Sequence, residues 1–116
     1  MKFVFVHLPP FASKASKLRL TLEDFREIEN VITTGPERSP VVSGSGGLRK
    51  MRFAPAASGG GKSGALRICY FLIDEAARVY LVTLFSKSEK SNLSPGDIRE
   101  IASLIASIKA RHRSEP

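Results

Sequence analysis

The hydrophobic pattern predicts about four β-strands. The first is indicated by its β-forming residues and the second by the alternation of its side chains. Residues 2–8 are rich in β-forming side chains and end at two prolines, which indicates an opening strand. Residues 48–54, LRKMRFA, alternate in character, so Leu48, Lys50 and Arg52 face one side of a sheet. The side chains that face the other side are Arg49, Met51 and Phe53.

Two later stretches predict longer strands. Residues 65–73, ALRICYFLI, are apolar on both faces except at Arg67, which is typical of a central strand. After a turn at residues 74–77, RVYLVTLFSK predicts the next strand, with Lys87 at its exit. The Gly-, Ser- and Ala-rich residues 54–64 predict a mobile hairpin loop.

Helical spacing of apolar residues occurs in two places, each with a start signal. Thr21 is a suitable N-cap with Asp24 in the first turn, and Gly35 ends the predicted helix. Ser94 repeats this signal, with a proline at the first helical position and Asp97 three residues after the cap. The apolar positions are Leu22, Phe25, Ile28 and Ile32 in the first helix, and Ile98, Ile101, Leu104, Ile105 and Ile108 in the second.

The order of these elements predicts an α+β fold. A short helix is also expected within residues 11–18, and the last six residues are expected to fray. The order β–α–α–β–β–β–α then gives a small twisted antiparallel sheet with two or three helices packed on it. Residues 1–116 are expected to form one domain, because domains usually contain about 100–200 residues.

The charge balance narrows the choice of partners. The formal net charge is +7 and the isoelectric point is about 10.0, which favours a polyanion such as nucleic acid over a merely cationic surface. The single cysteine permits no internal disulfide and fits a reducing, cytoplasmic setting. Since no apolar run approaches the roughly 18 residues of a membrane span and no signal-peptide cleavage site follows the first strand, no membrane partner is expected.

The positive charges are concentrated on the predicted sheet. Between residues 38 and 73 there is no Asp or Glu, whereas acidic residues cluster in the helix that begins after Thr21. Lys50 and Arg52 share one face of their strand and can both point at a phosphate backbone. Arg67 interrupts an apolar strand, where a charge is either functional or extends to the edge to reach water. The basic residues of the acid-free segment are Arg38, Arg49, Lys50, Arg52, Lys62 and Arg67.

The segment GGGKSG suggests a nucleotide-binding loop, but two features exclude it. The motif requires a glycine five residues before Gly61, and Ala56 stands there. The loop should also open a helix, whereas a predicted strand follows Gly64. We therefore interpret the segment as a link between strands that could bring Lys62 onto RNA.

Metal chemistry and cysteine chemistry have little support in the sequence. His7 and His112 lie near opposite ends, and no Cys/His pair has ligand spacing, so neither a metal nor another cofactor is expected. Cys69 lies between Ile68 and Tyr70 in an apolar strand, which favours a buried structural thiol over a nucleophile.

A family resemblance follows from the ordered pattern GGLRKMR, then GKSG, then ALRICYF and finally FSKSEKSNLS. Over most of its length the chain resembles the HigB-type branch of the RelE superfamily of toxins. The resemblance implies a twisted antiparallel sheet with helices on one side and a basic groove on the other. It also implies a toxin that cuts mRNA in the ribosomal A site.

The resemblance implies partners as well. The toxin would contact mRNA and rRNA on the ribosome. A cognate antitoxin, often with a helix-turn-helix, would hold it inactive, and operator DNA would be bound only through that complex.

The resemblance also assigns residues. Lys50 and Arg52 match a strand that supplies two basic residues, Arg67 matches the arginine at the scissile phosphate, and Lys87 matches a basic segment after the last strand. Two positions depart from better-known members: Ser88 replaces an arginine used as an acid, and Ser94 lies near a base-stacking tyrosine. The expected catalytic residues are Lys50, Arg52, Arg67 and Lys87, and the expected RNA-binding residues are Arg49, Lys62 and Lys90.

The expected reaction is metal-independent attack of a 2′-hydroxyl on the adjacent phosphate. A lysine whose pKa is lowered by crowded cations can act as base. Lys50, Lys62 and Lys87 are the candidates. Two other classes remain open, a basic protein that binds RNA or the ribosome without cutting it, and a degenerate toxin that acts only through its antitoxin complex.

Overall fold

The computed structural model describes residues 2–56, 65–90 and 92–114. Within these ranges the chain forms an α+β fold of four strands and three helices, as predicted. A short 3-10 helix at Asp74–Ala76 makes the turn between the last two strands. The elements are β1 (Val4–His7), α1 (Pro9–Lys17), α2 (Leu22–Thr34), β2 (Arg49–Phe53), β3 (Leu66–Ile73), β4 (Arg78–Ser86) and α3 (Pro95–Ser114).

The strand order in the sheet is β1-β4-β3-β2. β2, β3 and β4 are antiparallel neighbours, and β3 is central as its apolar faces predict. β1 pairs with β4 in parallel, with Val4 beside Arg78 and His7 beside Leu81. The alternation of side chains in β1 carries no information about a partner more than seventy residues away, so the sequence did not indicate this parallel pair.

Two hydrophobic layers cover the two faces of the sheet. Phe11 of α1 and Ile28 of α2 pack on the face that carries Ile68 and Leu81. Ile105 of α3 packs on the opposite face. The expectation that the helices lie on one side is therefore wrong, because β3 is apolar on both faces and each face needs a cover. The residues that α3 shares this second layer with include Leu48, Cys69, Phe71, Val82, Phe85 and Leu93.

Both predicted helix starts are formed by a capping box. Thr21 Oγ1 accepts from the backbone N–H of Asp24 at 3.1 Å, and the Asp24 carboxylate accepts from the N–H of Thr21 at 2.8 Å. In α3, Ser94 and Asp97 make the same two bonds at 3.0 Å each. The hydrogen bonds from Ser94 and from the Lys90 ammonium hold the pKa of Asp97 below its ordinary value.

The segment before β2 is held by its own polar contacts. The buried Ser45 hydroxyl donates to the carbonyl of Val42 at 2.6 Å and accepts from the N–H of Leu48 at 2.9 Å. Gly47 has a φ of 125°, and a Cβ there would lie 3.3 Å from the Phe71 ring. This close approach explains why glycine is needed at the entrance to β2.

The end of α3 does not fray where the sequence predicts it. The helix continues to Ser114. Lys109 donates to the carbonyl of Gly46 at 2.9 Å and lies 5.5 Å from the centroid of the Phe71 ring. His112 lies 3.7 Å from a carboxylate oxygen of Glu75. These tertiary contacts stabilise the last turns, which helical propensity alone would not.

Candidate nucleic-acid interface

Arg52, Arg67 and Phe85 form one row across three neighbouring strands. Arg52 of β2 is the direct partner of Arg67 of β3, which is in turn the partner of Phe85 of β4. Directly paired residues in an antiparallel ladder point to the same face. This face is the one that α3 partly covers, where Phe85 is buried, Arg67 is half-buried and Arg52 is exposed.

The guanidinium of Arg67 has an unsatisfied buried atom. Its Nη1 is inaccessible to solvent, and none of the described residues accepts a hydrogen bond from it. Such a donor costs about 1–3 kcal/mol, and more when it is charged. A phosphate oxygen can bond this atom only if the side chains that cover it move, and it would then match the planar guanidinium fork.

A second row lies one step along the strands and contains Lys50, Cys69 and Thr83. Cys69 is fully buried, which confirms the prediction that its thiol lies in the core. Burial raises the pKa of its thiol to about 12, while the ammonium groups of Lys50, Lys14 and Lys90 act in the opposite direction. Three lysines therefore lie near enough to Cys69 to act electrostatically on its thiol.

Two of these lysines have acidic partners. Lys14 Nζ lies 3.4 Å from a carboxylate oxygen of Glu89. Lys90 Nζ lies 3.1 Å from Asp97 and 5.8 Å from the centroid of the Phe85 ring. The structure thus places Lys90 beside Phe85, at one end of the row that contains Arg52 and Arg67.

The remaining predicted residues are distributed differently. Lys87 is exposed directly after β4, in the same turn as Ser88, whose hydroxyl lies 3.0 Å from that of Ser86. Arg49 does not join the others, because it points to the opposite face and donates to the carbonyls of Glu37 at 3.0 Å and Ser39 at 2.7 Å. Lys62 and most of the predicted hairpin loop lie outside the described residues.

Sequence reasoning missed two polar residues at this face. Lys14 arrives through α1, which follows the parallel strand β1, and nothing local in the sequence shows that approach. Asn92 is uncharged, so the pattern of basic residues does not include it. Its amide oxygen nevertheless accepts a hydrogen bond from Lys50 Nζ at 2.9 Å. Lys14 and Asn92 can be placed at this face only when the arrangement of the strands in space is known.

A cavity of about 290 Å³ adjoins the row between β4, α1 and α3. Its walls are mainly apolar, and charged side chains at Lys14, Lys90, Asp97 and Glu100 also line it. Phe85 forms part of its wall and is also the strand neighbour of Arg67. A flat apolar group attached to a phosphate could therefore enter this cavity while the phosphate meets the arginines.

Two classes of site are absent from the part of the chain that the structure describes. No three His, Cys, Asp or Glu side chains lie together as metal ligands would. No helix in these ranges combines the length and hydrophobicity needed to cross a bilayer.

The fold has a counterpart among solved structures. The chain matches the structure of an E. coli toxin RelE double mutant, with two arginines changed to alanine, in the free state. The TM-score is 0.57 over 89% of this chain and 96% of that one. The chain shares the fold of RelE. The sequences are 15% identical, so the likeness concerns the RelE fold alone, and a comparison with protein families finds no match.

Proposed function

We propose that the chain is the toxin of a type II toxin–antitoxin module, of the HigB-type branch, and that it cleaves mRNA in the ribosomal A site. The observation that carries the proposal is the Arg52–Arg67 pair with its unsatisfied Arg67 Nη1, on a sheet with the RelE fold. A half-buried arginine beside a second arginine is stabilised when an anion binds between them. The phosphodiester of a messenger held in the cytoplasmic ribosome provides one.

The proposed reaction is a transesterification that needs no metal. The 2′-oxygen loses its proton to a base and forms a bond to the adjacent phosphorus, while the bond to the 5′-oxygen breaks and that oxygen takes a proton. Arg67 and Arg52 stabilise the charge on the phosphoryl oxygens. One such donor is typically worth on the order of 10²–10³ in rate.

Lysines supply the proton transfers in this proposal. Lys50 lies on the same face as Arg52, two residues away, and Lys87 lies at the exit of β4 beyond Phe85. Lys62 is a third candidate, while Lys90 binds the RNA backbone beside Phe85. Because lysines are weak acid–base groups at neutral pH, the ribosome would contribute by orienting the messenger, which can be worth several kcal/mol.

The partners follow from the same proposal. A cognate antitoxin, expected to carry a helix-turn-helix, covers the basic face and neutralises the toxin. Operator DNA is bound only through the antitoxin complex. The net charge of +7 favours association with an acidic partner segment as well as with RNA.

The test maps mRNA 5′ ends in a reconstituted translation system with wild-type protein, Arg67→Ala and Arg26→Ala. Arg26 is exposed on α2 and packs beside β1, so its removal changes the net charge equally without touching the arginine pair. We expect A-site cuts with wild type and Arg26→Ala, and a loss of about 10²–10³ in rate with Arg67→Ala. Equal cleavage by all three proteins would refute the assignment.

A non-catalytic or degenerate toxin is the second candidate, and Ser88 and Ser94 favour it. Ser94 is occupied as the N-cap of α3, and Ser88 contacts another serine, so neither supplies the acid or the stacking ring of better-known relatives. This candidate predicts ribosome binding that weakens steeply with salt and no new mRNA ends. The same reconstituted system distinguishes the two candidates.

A further inference from the structure

Asn92 connects Lys50 of the site to the hydrophobic core. Its Oδ1 accepts from Lys50 Nζ at 2.9 Å and also from the backbone N–H of Leu93 at 2.9 Å. Leu93 is 8% exposed and packs in the layer that contains Cys69 and Phe85. The amide oxygen is therefore held by a backbone group anchored in the core, one residue before the cap of α3.

The chemistry of this acceptor differs from that of its neighbours. Lys14 and Lys90 each face a carboxylate, from Glu89 and Asp97 respectively. Among the described residues Lys50 has no carboxylate within ion-pair distance, and its partner is the neutral amide. A carboxylate stabilises the ammonium form of lysine, whereas an amide oxygen orients the amine with no opposite charge.

The direction in which Lys50 is held matters because of Arg52. The two residues lie on one face of β2, about 7 Å apart along the strand, which is close to the spacing of successive phosphates in a nucleic acid strand. The hydrogen bond from Lys50 to Asn92 is exposed to solvent, and it uses only one N–H of the amine. In its uncharged state, the amine then presents its lone pair to a 2′-hydroxyl beside the bound phosphate.

We propose that Asn92 is a positioning residue that aims Lys50 at the nucleotide without placing the opposite charge of a carboxylate beside its amine. The inference rests on the proposed function and deepens it, because it selects Lys50 from the three candidate lysines as the base. It also gives a role to Asn92, which the basic-residue pattern leaves unexplained.

Three variants test this role in mRNA cleavage on programmed ribosomes, with kcat and KM measured across a pH series. Asn92→Asp preserves shape and adds a carboxylate at Lys50, and Asn92→Ala removes the acceptor. Asn30→Asp is the matched control, since Asn30 is exposed on α2 and lies beside β1. Thermal unfolding of each variant checks that the fold is retained.

For Asn92→Asp we expect the acid limb of the pH–rate profile to move upward by about one pH unit, because a neighbouring carboxylate holds the proton on lysine. The rate should recover at high pH, with KM unchanged. Asn92→Ala should lower kcat about 10-fold at every pH, by analogy with the loss of a hydrogen bond that orients a metal-ligating side chain. Asn30→Asp should behave like wild type.

The possible failures are distinguishable. If wild type cleaves and the Asn92 variants keep its profile and kcat, the positioning role is refuted while the proposed function stands. If Asn92→Asp loses activity with no recovery at high pH, Lys50 is not the base and the role is also refuted. If wild type yields no new mRNA ends, the proposed function fails, and with it this inference.

Discussion

Arg52 and Arg67 are direct partners across β2 and β3, and neither forms an ion pair with any described residue. Like charges in this position are destabilising by a few tenths of a kcal/mol up to about 1 kcal/mol. The burial of Arg67 Nη1 without an acceptor adds to that cost. The pair is thus a local weakness of the isolated fold, and it should be relieved when an anion binds.

Replacing Arg67 with methionine should separate stability from function. Methionine keeps an unbranched apolar stem in the strand and removes both the repulsion and the buried donor. We expect the free energy of unfolding in urea at low ionic strength to stay equal or rise by about 1 kcal/mol, and cleavage to be lost. Arg26→Met serves as the control for the change in net charge. A drop of several kcal/mol would show that the Arg67 guanidinium is satisfied within the fold.

Neighbouring residues of β2 should differ in their effect on RNA binding. Lys50→Ala removes a cation from the face that carries Arg52 and Arg67. When the logarithm of the association constant for a short single-stranded RNA is plotted against the logarithm of the salt concentration, the slope should decrease in magnitude by about 0.7. Arg49→Ala should leave that slope unchanged and lower stability instead, because Arg49 holds the carbonyls of Glu37 and Ser39. Fluorescence titration at several salt concentrations measures both. An equal loss of slope in Arg49→Ala would place Arg49 at the RNA, as the sequence predicts.

Gly47→Ala should destabilise the protein by about 1–3 kcal/mol. Gly47 has a φ of 125°, which is strained for any residue with a side chain, and the added Cβ would press on Phe71 at 3.3 Å. Gly96→Ala is the control, since Gly96 lies in the first turn of α3 with its nearest neighbours 3.8 Å from an added Cβ. The control should be neutral or stabilising by up to about 1 kcal/mol. Urea unfolding midpoints compare the two, and equal values would contradict the strain at Gly47.

The buried thiol predicts an alkaline loss of stability. Burial raises the pKa of Cys69 from 9.0 to about 12, so above pH 9 the unfolded chain releases this proton while the folded chain keeps it. Stability from this group is therefore constant below pH 9 and falls between pH 9 and 12, by at most about 1.4 kcal/mol per pH unit. Cys69→Ala lacks this dependence, and the difference between the two proteins cancels the titration of the lysines. Parallel slopes for both proteins between pH 8 and 10 would contradict the prediction.

Local signals in the sequence predicted local structure well. Thr21 with Asp24, and Ser94 with Asp97, define their helix starts within four residues of chain, and both capping boxes are present. The alternation in β2 correctly separated Lys50 and Arg52 from Met51 and Phe53. The same alternation places Arg49 on the opposite face from Lys50 and Arg52. The prediction that Arg49 binds RNA rested on its charge and did not use this difference in face.

Features that depend on contacts between distant segments could not be predicted from local sequence signals. The parallel pairing of β1, the arrival of Lys14 and the contact between Asn92 and Lys50 all join segments far apart in the chain. The placement of α3 on the second face likewise follows from how β3 is covered, which periodicity within α3 alone does not reveal. Leu22, an apolar position of the predicted helix stripe, is the first residue of α2 and is 63% exposed.

The position of Cys69 gives the protein a built-in probe of its own motion. Its thiol is sealed between the sheet and α3, in the same layer as Ile105, and it is the one cysteine of the chain. A thiol-reactive dye can reach the Cys69 thiol only when that layer opens. The rate at which the native protein is labelled therefore reports how often α3 separates from the sheet. Comparing this rate with and without a bound partner would show whether the helix is clamped or released on binding, with no engineered label.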